Sequence, residues 1–158
     1  MPTLKICTAL LVASAMAAYA HAQPFEYAHP FRERHVISIE PMSGSVASGD
    51  RAIDATFCAK AEGYVCVSSE WLNFAAPISK AWSSPEWKFG DHTYVMRDRR
   101  KVFMLGASLN VLDIESTQSS RTFRFLYSKE RGLVALSAEV DGTLEIFVLQ
   151  GKTGFGRP

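Results

Sequence analysis

Residues 121–150 read RTFRFLYSKERGLVALSAEVDGTLEIFVLQ, and the alternation in this stretch decides the fold. It holds three runs rich in β-branched and aromatic residues: Arg121–Ser128, Leu133–Val140 and Thr143–Gln150. Such runs, bounded by turn residues, read as strands. Lys129-Glu130-Arg131-Gly132 joins the first two. Asp141-Gly142 joins the last two, and Asp-Gly suits a two-residue hairpin because its central positions need positive φ. The three runs therefore predict an antiparallel meander. The last two are apolar on both faces over much of their length, which marks them as central strands.

Working outward, Thr93–Arg97 and Val102–Leu112 read as strands joined by a charged turn, Asp98-Arg99-Arg100-Lys101. Asp113–Ser120 (DIESTQSS) reads as a polar loop. Residues 70–91 hold all three tryptophans, Trp71, Trp82 and Trp87, with Pro77 and Pro85 interrupting any long helix. Ser84-Pro85 before Glu86 suits a helix N-terminus, so one or two short helical turns are expected around residues 70–90. Further upstream, His35–Glu40 is a short strand, Met42–Asp50 a small-residue loop, and Gln23–Arg34 an extended lead-in. Gly151–Pro158 reads as a flexible tail. About eight short strands without an internal repeat predict a mainly β protein. The expected architecture is a single antiparallel domain over residues 35–150, a sandwich or a partly open barrel.

The chain opens MPTLKICTALLVASAMAAYAHAQ. Lys5 precedes an apolar run from Ile6 to Ala20, and Ala20-His21-Ala22 has the small-x-small form that signal peptidase accepts. The run is shorter than the ~20 residues needed to span a bilayer. Residues 1–22 are therefore expected to be a signal peptide, giving a periplasmic or secreted protein with no membrane span after its removal. That removal takes one member, Lys5, from the 17 basic residues and leaves them balanced against the 16 acids. A balanced charge gives no reason to expect nucleic acid as a partner.

Export gives the two remaining cysteines a meaning. Cys58 and Cys66 lie in DATFCAKAEGYVCVSS, residues 54–69. Ala52–Lys60 and Tyr64–Ser69 both alternate, and folding them about Ala61-Glu62-Gly63 sets Phe57 opposite Val67, Ala59 opposite Val65, and Cys58 opposite Cys66. A slip of one residue breaks both the apolar match and the sulfur match. An oxidising compartment then makes a disulfide staple the expected state. C-x-x-C redox spacing and a zinc ligand set are both missing from this stretch.

The sequence contains no nucleophile-elbow motif and no metalloprotease zinc helix. Gly151-Lys152-Thr153 lacks the upstream glycine and the following helix of a phosphate loop. No metal or cofactor is expected. The acids Glu40, Asp50, Asp54, Glu62, Glu70 and Glu86 could supply a hydrolytic carboxylate pair, but nothing selects two of them. The function expected is a macromolecule-binding module, an inhibitor or immunity-type partner of another exported protein. A cell-wall glycan is the other candidate partner, and a cell-envelope hydrolase the alternative function. The contact residues expected are Trp82 and Trp87, because aromatic rings anchor interfaces or stack on sugars, and the basic cluster Arg97, Arg99, Arg100 and Lys101. Intact-mass analysis of protein recovered from producing cells is expected to show a chain beginning near Gln23, with Cys58 and Cys66 oxidised. A full-length chain with two free thiols at these positions contradicts the expectation.

Overall fold

The computed structural model describes residues 23–58, 63–78, 84–118, 121–140 and 142–157. They form twelve strands: β1 (Phe25–Ala28), β2 (Val36–Glu40), β3 (Ser45–Ser48), β4 (Arg51–Phe57), β5 (Tyr64–Ser69), β6 (Asn73–Pro77), β7 (Glu86–Phe89), β8 (His92–Met104), β9 (Ala107–Gln118), β10 (Arg121–Ser128), β11 (Gly132–Val140) and β12 (Thr143–Leu149). The protein is mainly β, as its sequence predicts, with a single antiparallel sheet. The sheet order is β6-β5-β4-β3-β2-β1-β12-β11-β10-β9-β8-β7. Every neighbour is consecutive in the chain except β1 and β12, where Tyr27 pairs with Leu149 and Ala28 with Val148. The sheet thus curls into a nearly closed barrel rather than a sandwich.

β6 and β7 stand at the two ends of this order, and side chains bridge the seam. The Trp87 indole N–H donates to the Ala75 carbonyl at 3.2 Å, and the Gln118 amide donates to the Asn73 carbonyl at 2.7 Å. The buried Ala75 carbonyl and the half-buried Asn73 carbonyl are thereby satisfied at the end of the strand order.

The registers gather one set of side chains inside. Phe125 pairs with Ile114 and with Leu136, and Leu136 with Phe147. Across the interior, the Phe74 ring lies 5.0 Å from Phe125 and 5.9 Å from Tyr127. The two hairpins read most firmly from the sequence are present. Val140 pairs with Thr143 around Asp141-Gly142, and Gly142 has φ of 72°. Phe57 pairs with Val67, the Cys58 N–H donates to the Cys66 carbonyl, and Cys58 is disulfide-bonded to Cys66 with Cα atoms 5.1 Å apart. Ala59 lies outside the described residues.

Other expectations are corrected. The lead-in contains β1 and the small-residue loop contains β3, so the strands number twelve rather than about eight. The aromatic stretch forms β6 and β7, with no helical turn among the described residues. Ser84 Oγ does accept the Glu86 N–H at 3.4 Å, yet the Pro85 carbonyl accepts the Met96 N–H at 2.7 Å and starts a strand pairing. The charged tetrapeptide Asp98–Lys101 is strand, not turn. β8 continues through it to Met104, and the reversal falls at Leu105-Gly106, both with positive φ. A bulge between Met96 and Asp98 shifts the register there. DIESTQ is likewise strand, with Ile114, Ser116 and Gln118 buried on one side.

Within the stretch read as a tail, Gly154 and Phe155 are buried against the barrel. Phe155 is 7% exposed, with ring centres 5.6 Å from Phe57 and 6.0 Å from Phe25. Its carbonyl accepts the Leu133 N–H, its N–H donates to the Tyr27 hydroxyl, and the Gly154 N–H donates to the Arg131 carbonyl. A Cβ on Gly154 would stand 1.9 Å from the Leu133 carbonyl oxygen, so only glycine fits. This segment plugs the barrel end that carries the disulfide. Phe155→Ala is expected to cost about 3 kcal/mol, the lower end for a buried phenylalanine. Replacing both cysteines by alanine is expected to cost about 2.5 kcal/mol, from closure of a loop of roughly nine residues. Urea denaturation followed by circular dichroism measures both. Wild-type stability in the Phe155 variant would mean that the plug is not part of the cooperative fold.

Candidate functional site

Two features stand out, one at each end of the barrel. The first is an arm. β10 pairs with β9 only over Leu112–Gln118, and β7 pairs with β8 only over His92–Val95. The far part of the β8–β9 hairpin, Arg99–Met104 with Ala107–Val111, therefore pairs only with itself. Val102, Met104, Leu109 and Val111 of this arm pack with the core. Arg99, Lys101, Phe103, Ser108 and Asn110 are exposed, and the Phe103 ring reaches 80% exposure.

Charge is organised around the base of the arm. Asp113 is 3% exposed, and its carboxylate accepts hydrogen bonds from Arg100 at 3.0 Å and from Arg124 at 3.0 and 3.3 Å. A buried carboxylate without such partners is strongly unfavourable. Arg97 donates to Glu115 at 2.6 Å, and that hydrogen bond holds the Glu115 carboxyl below the usual carboxylate range. Two of the four cations read from the sequence, Arg97 and Arg100, are thus engaged within the fold. Arg99 donates from Nε to Met96 Sδ at 3.1 Å and remains exposed, as does Lys101. Arg99, Arg100, Lys101, Lys129, Asn110 and Glu130 border a groove of about 300 Å³. The Glu130 carboxylate is lowered by the Ser128 hydroxyl, which donates to it at 2.6 Å.

Trp87, expected at a contact surface, lies inside. Its ring stacks on Tyr94 at 5.9 Å and 10°, and its N–H closes the seam. Trp82 lies outside the described residues.

The second feature is the barrel mouth, opposite the plug. Among the described residues, a cavity of about 300 Å³ opens there, walled by Ile37, Val46, Leu72, Phe123, Leu136 and Phe147. Arg51, Trp71 and Arg121 stand at its rim. The Arg51 guanidinium lies 5.4 Å from the Trp71 ring centre, a cation–π distance. Neither arginine has a carboxylate partner among the described residues.

Beside the mouth, Glu145 is held by Arg32 at 2.7 Å, with His29 Nε2 at 3.4 Å and His35 Nδ1 at 4.0 Å. This resembles a ligand set, but His29 Nδ1 accepts the Phe31 N–H at 3.1 Å. That bond places the imidazole proton on Nε2, towards Glu145, and removes the lone pair a cation needs. Among the described residues no group of three or more His, Cys, Asp or Glu side chains fits a metal ion.

Sequence reasoning missed the mouth, although a signal existed. Period-2 reading of RTFRF puts Arg121 on the face of Phe123 and Phe125, and Arg51 heads the alternation of Ile53, Ala55 and Phe57. An arginine at the head of an inward apolar row is a rim residue. The candidate acids Glu40, Asp50, Asp54, Glu70 and Glu86 line none of the described cavities, and Glu62 lies outside the described residues. Comparison with protein-family models, curated proteins and solved structures gives no match for this chain.

Asp113→Asn is expected to lower stability by about 1–2 kcal/mol, less than the full value of charged hydrogen bonds because both arginines are half exposed. Arg97→Ala is expected to cost less than Asp113→Asn. Urea denaturation at low ionic strength ranks the two, and the reverse order contradicts this account of the arm's base.

Proposed function

We propose that the protein is an exported, disulfide-stapled binding module, and that its β8–β9 arm grips an acidic surface of another exported protein in the manner of an inhibitor or immunity protein. One observation carries this reading: the arm is anchored by one apolar set of side chains and presents Arg99, Lys101 and Phe103 on its outward set. Cations on an unpaired strand serve to prevent edge-to-edge aggregation, and that accounts for Arg99 and Lys101. It does not account for Phe103. An exposed ring beside cations has the composition of an interface hot spot, and its full burial by a partner contributes about 1.5–3 kcal/mol. The cations steer an acidic partner and are screened as salt rises, over roughly 8–10 Å near physiological strength. Export is supported by residues 1–22 and by the disulfide, which belongs to an oxidising compartment.

The alternatives lack an equivalent feature. For a glycan site, Trp87 is unavailable, being stacked on Tyr94, and the exposed Phe103 sits among cations rather than beside a second ring. A carboxylate hydrolase needs two acids facing one cavity. The acids bordering the described cavities, Asp113 and Glu130, are each engaged by neighbouring side chains.

The mature oxidised protein, immobilised and exposed to envelope extract, is expected to retain one partner stoichiometrically. Phe103→Ala and the double variant Arg99→Glu/Lys101→Glu are each expected to weaken retention about tenfold or more, and wild-type retention is expected to fall in high salt. A partner held equally by all three proteins, or cleavage of peptidoglycan by the lone protein, overturns the proposal.

A further inference from the structure

We propose that the open mouth of the barrel is a separate binding site for a small apolar monocarboxylate, whose hydrocarbon body enters the cavity and whose carboxylate stays at the rim between Arg51 and Arg121. The cavity, about 300 Å³, sits at the lower end of small-ligand sites. Its wall selects the body. Ile37, Val46, Leu72, Phe123, Leu136 and Phe147 offer no side-chain hydrogen bonds, so a polar or multiply charged body would lose its hydration without replacement.

The rim selects the head. Among the described residues, the charged side chains bordering the cavity are Arg51 and Arg121, and neither has a carboxylate partner there. Guanidinium forks match a carboxylate's two oxygens. Arg51 lies over Trp71, its guanidinium carbon 5.4 Å from the ring centre, and no described carboxylate takes up its N–H donors. The neighbouring acid, Glu145, is ion-paired to Arg32 through Oε1 at 2.7 Å, and its buried Oε2 faces His29 Nε2 at 3.4 Å without a hydrogen-bond partner among the described residues. Neither rim arginine is ion-paired to it.

Depth limits the length of the ligand. Along β10 the inward residues run from Arg121 at the rim to Phe123 in the wall and then to Phe125, which is fully buried. At ~3.3 Å per residue the open part spans roughly 7 Å, which suits a short to medium hydrocarbon and not a long lipid chain.

Octanoate is the probe, with octanol and octylammonium as controls, followed by calorimetry and by fluorescence of the rim Trp71. Octanoate is expected to bind saturably below millimolar concentration and octylammonium not at all. The double variant Arg51→Ala/Arg121→Ala is expected to weaken octanoate about tenfold or more. Ala138→Phe, which fills the cavity from β11, is expected to abolish binding. Ser48→Phe at the rim serves the same purpose should Ala138→Phe not fold. Phe103→Ala, on the arm, is expected to bind octanoate normally, which keeps this site distinguishable from the protein-binding surface. No saturable octanoate binding by the folded wild type, equal binding of octylammonium, or undiminished binding in a folded cavity-filled variant overturns the proposal.

Discussion

The hydroxyl of Tyr27 ties together the parts that turn a sheet into a barrel. It donates to the Leu133 carbonyl at 3.0 Å and accepts the Phe155 N–H at 3.0 Å. One oxygen thus joins β1, β11 and the C-terminal segment. Burial pushes the Tyr27 phenol far above its ordinary pKa, so it stays a neutral donor and acceptor as this node requires. Apart from it, the first strand holds β12 by a short ladder, Tyr27 with Leu149 and Ala28 with Val148, extended by the Gln150 N–H to the Glu26 carbonyl at 2.9 Å. Without it, the plug would lose one of its anchors in the interior.

The two ends of the barrel differ because of this closure. At one end the chain seals its own interior with Phe155, using backbone hydrogen bonds that admit only glycine at residue 154. At the other end apolar walls meet two arginines without a carboxylate partner among the described residues. Outside, the arm divides its cations between structure and surface. Arg100 neutralises Asp113 and Arg97 engages Glu115, while Arg99 and Lys101 stay exposed. A cluster of four consecutive-looking bases is therefore two pieces of scaffold and two pieces of surface.

Legibility in the sequence followed the periodicity. The meander and the cysteine hairpin were readable because their alternation, turn residues and facing apolar pairs all agree. β1 and β3 were not, because four-residue strands of small or mixed residues give too few alternations to count. The Asp98–Lys101 strand was hidden for another reason. Charged residues beside a bulge imitate a turn, and the Leu105 φ of 53° that makes the true reversal leaves no signature in a leucine. In the aromatic stretch, prolines correctly excluded a long helix, but Ser84-Pro85 opens a strand as readily as a helix when a partner carbonyl and amide are in place. The arm was legible as charge and not as geometry. The cavity needed strands far apart in the chain to be brought together, which no local window contains.

Pairing residue 27 with residue 149 also sets an order of events. The Cys58–Cys66 hairpin and the β10–β12 meander are local and can form as soon as their own residues are available. The ring cannot shut until residues 148 and 149 are present to pair with 28 and 27, and the plug at Phe155 follows them in the chain. A polypeptide delivered from its N-terminus must therefore remain an open, edge-exposed sheet until β12 arrives. High separation between partners makes such closure slow, and the staple nearer the front limits how much of the waiting chain stays loose.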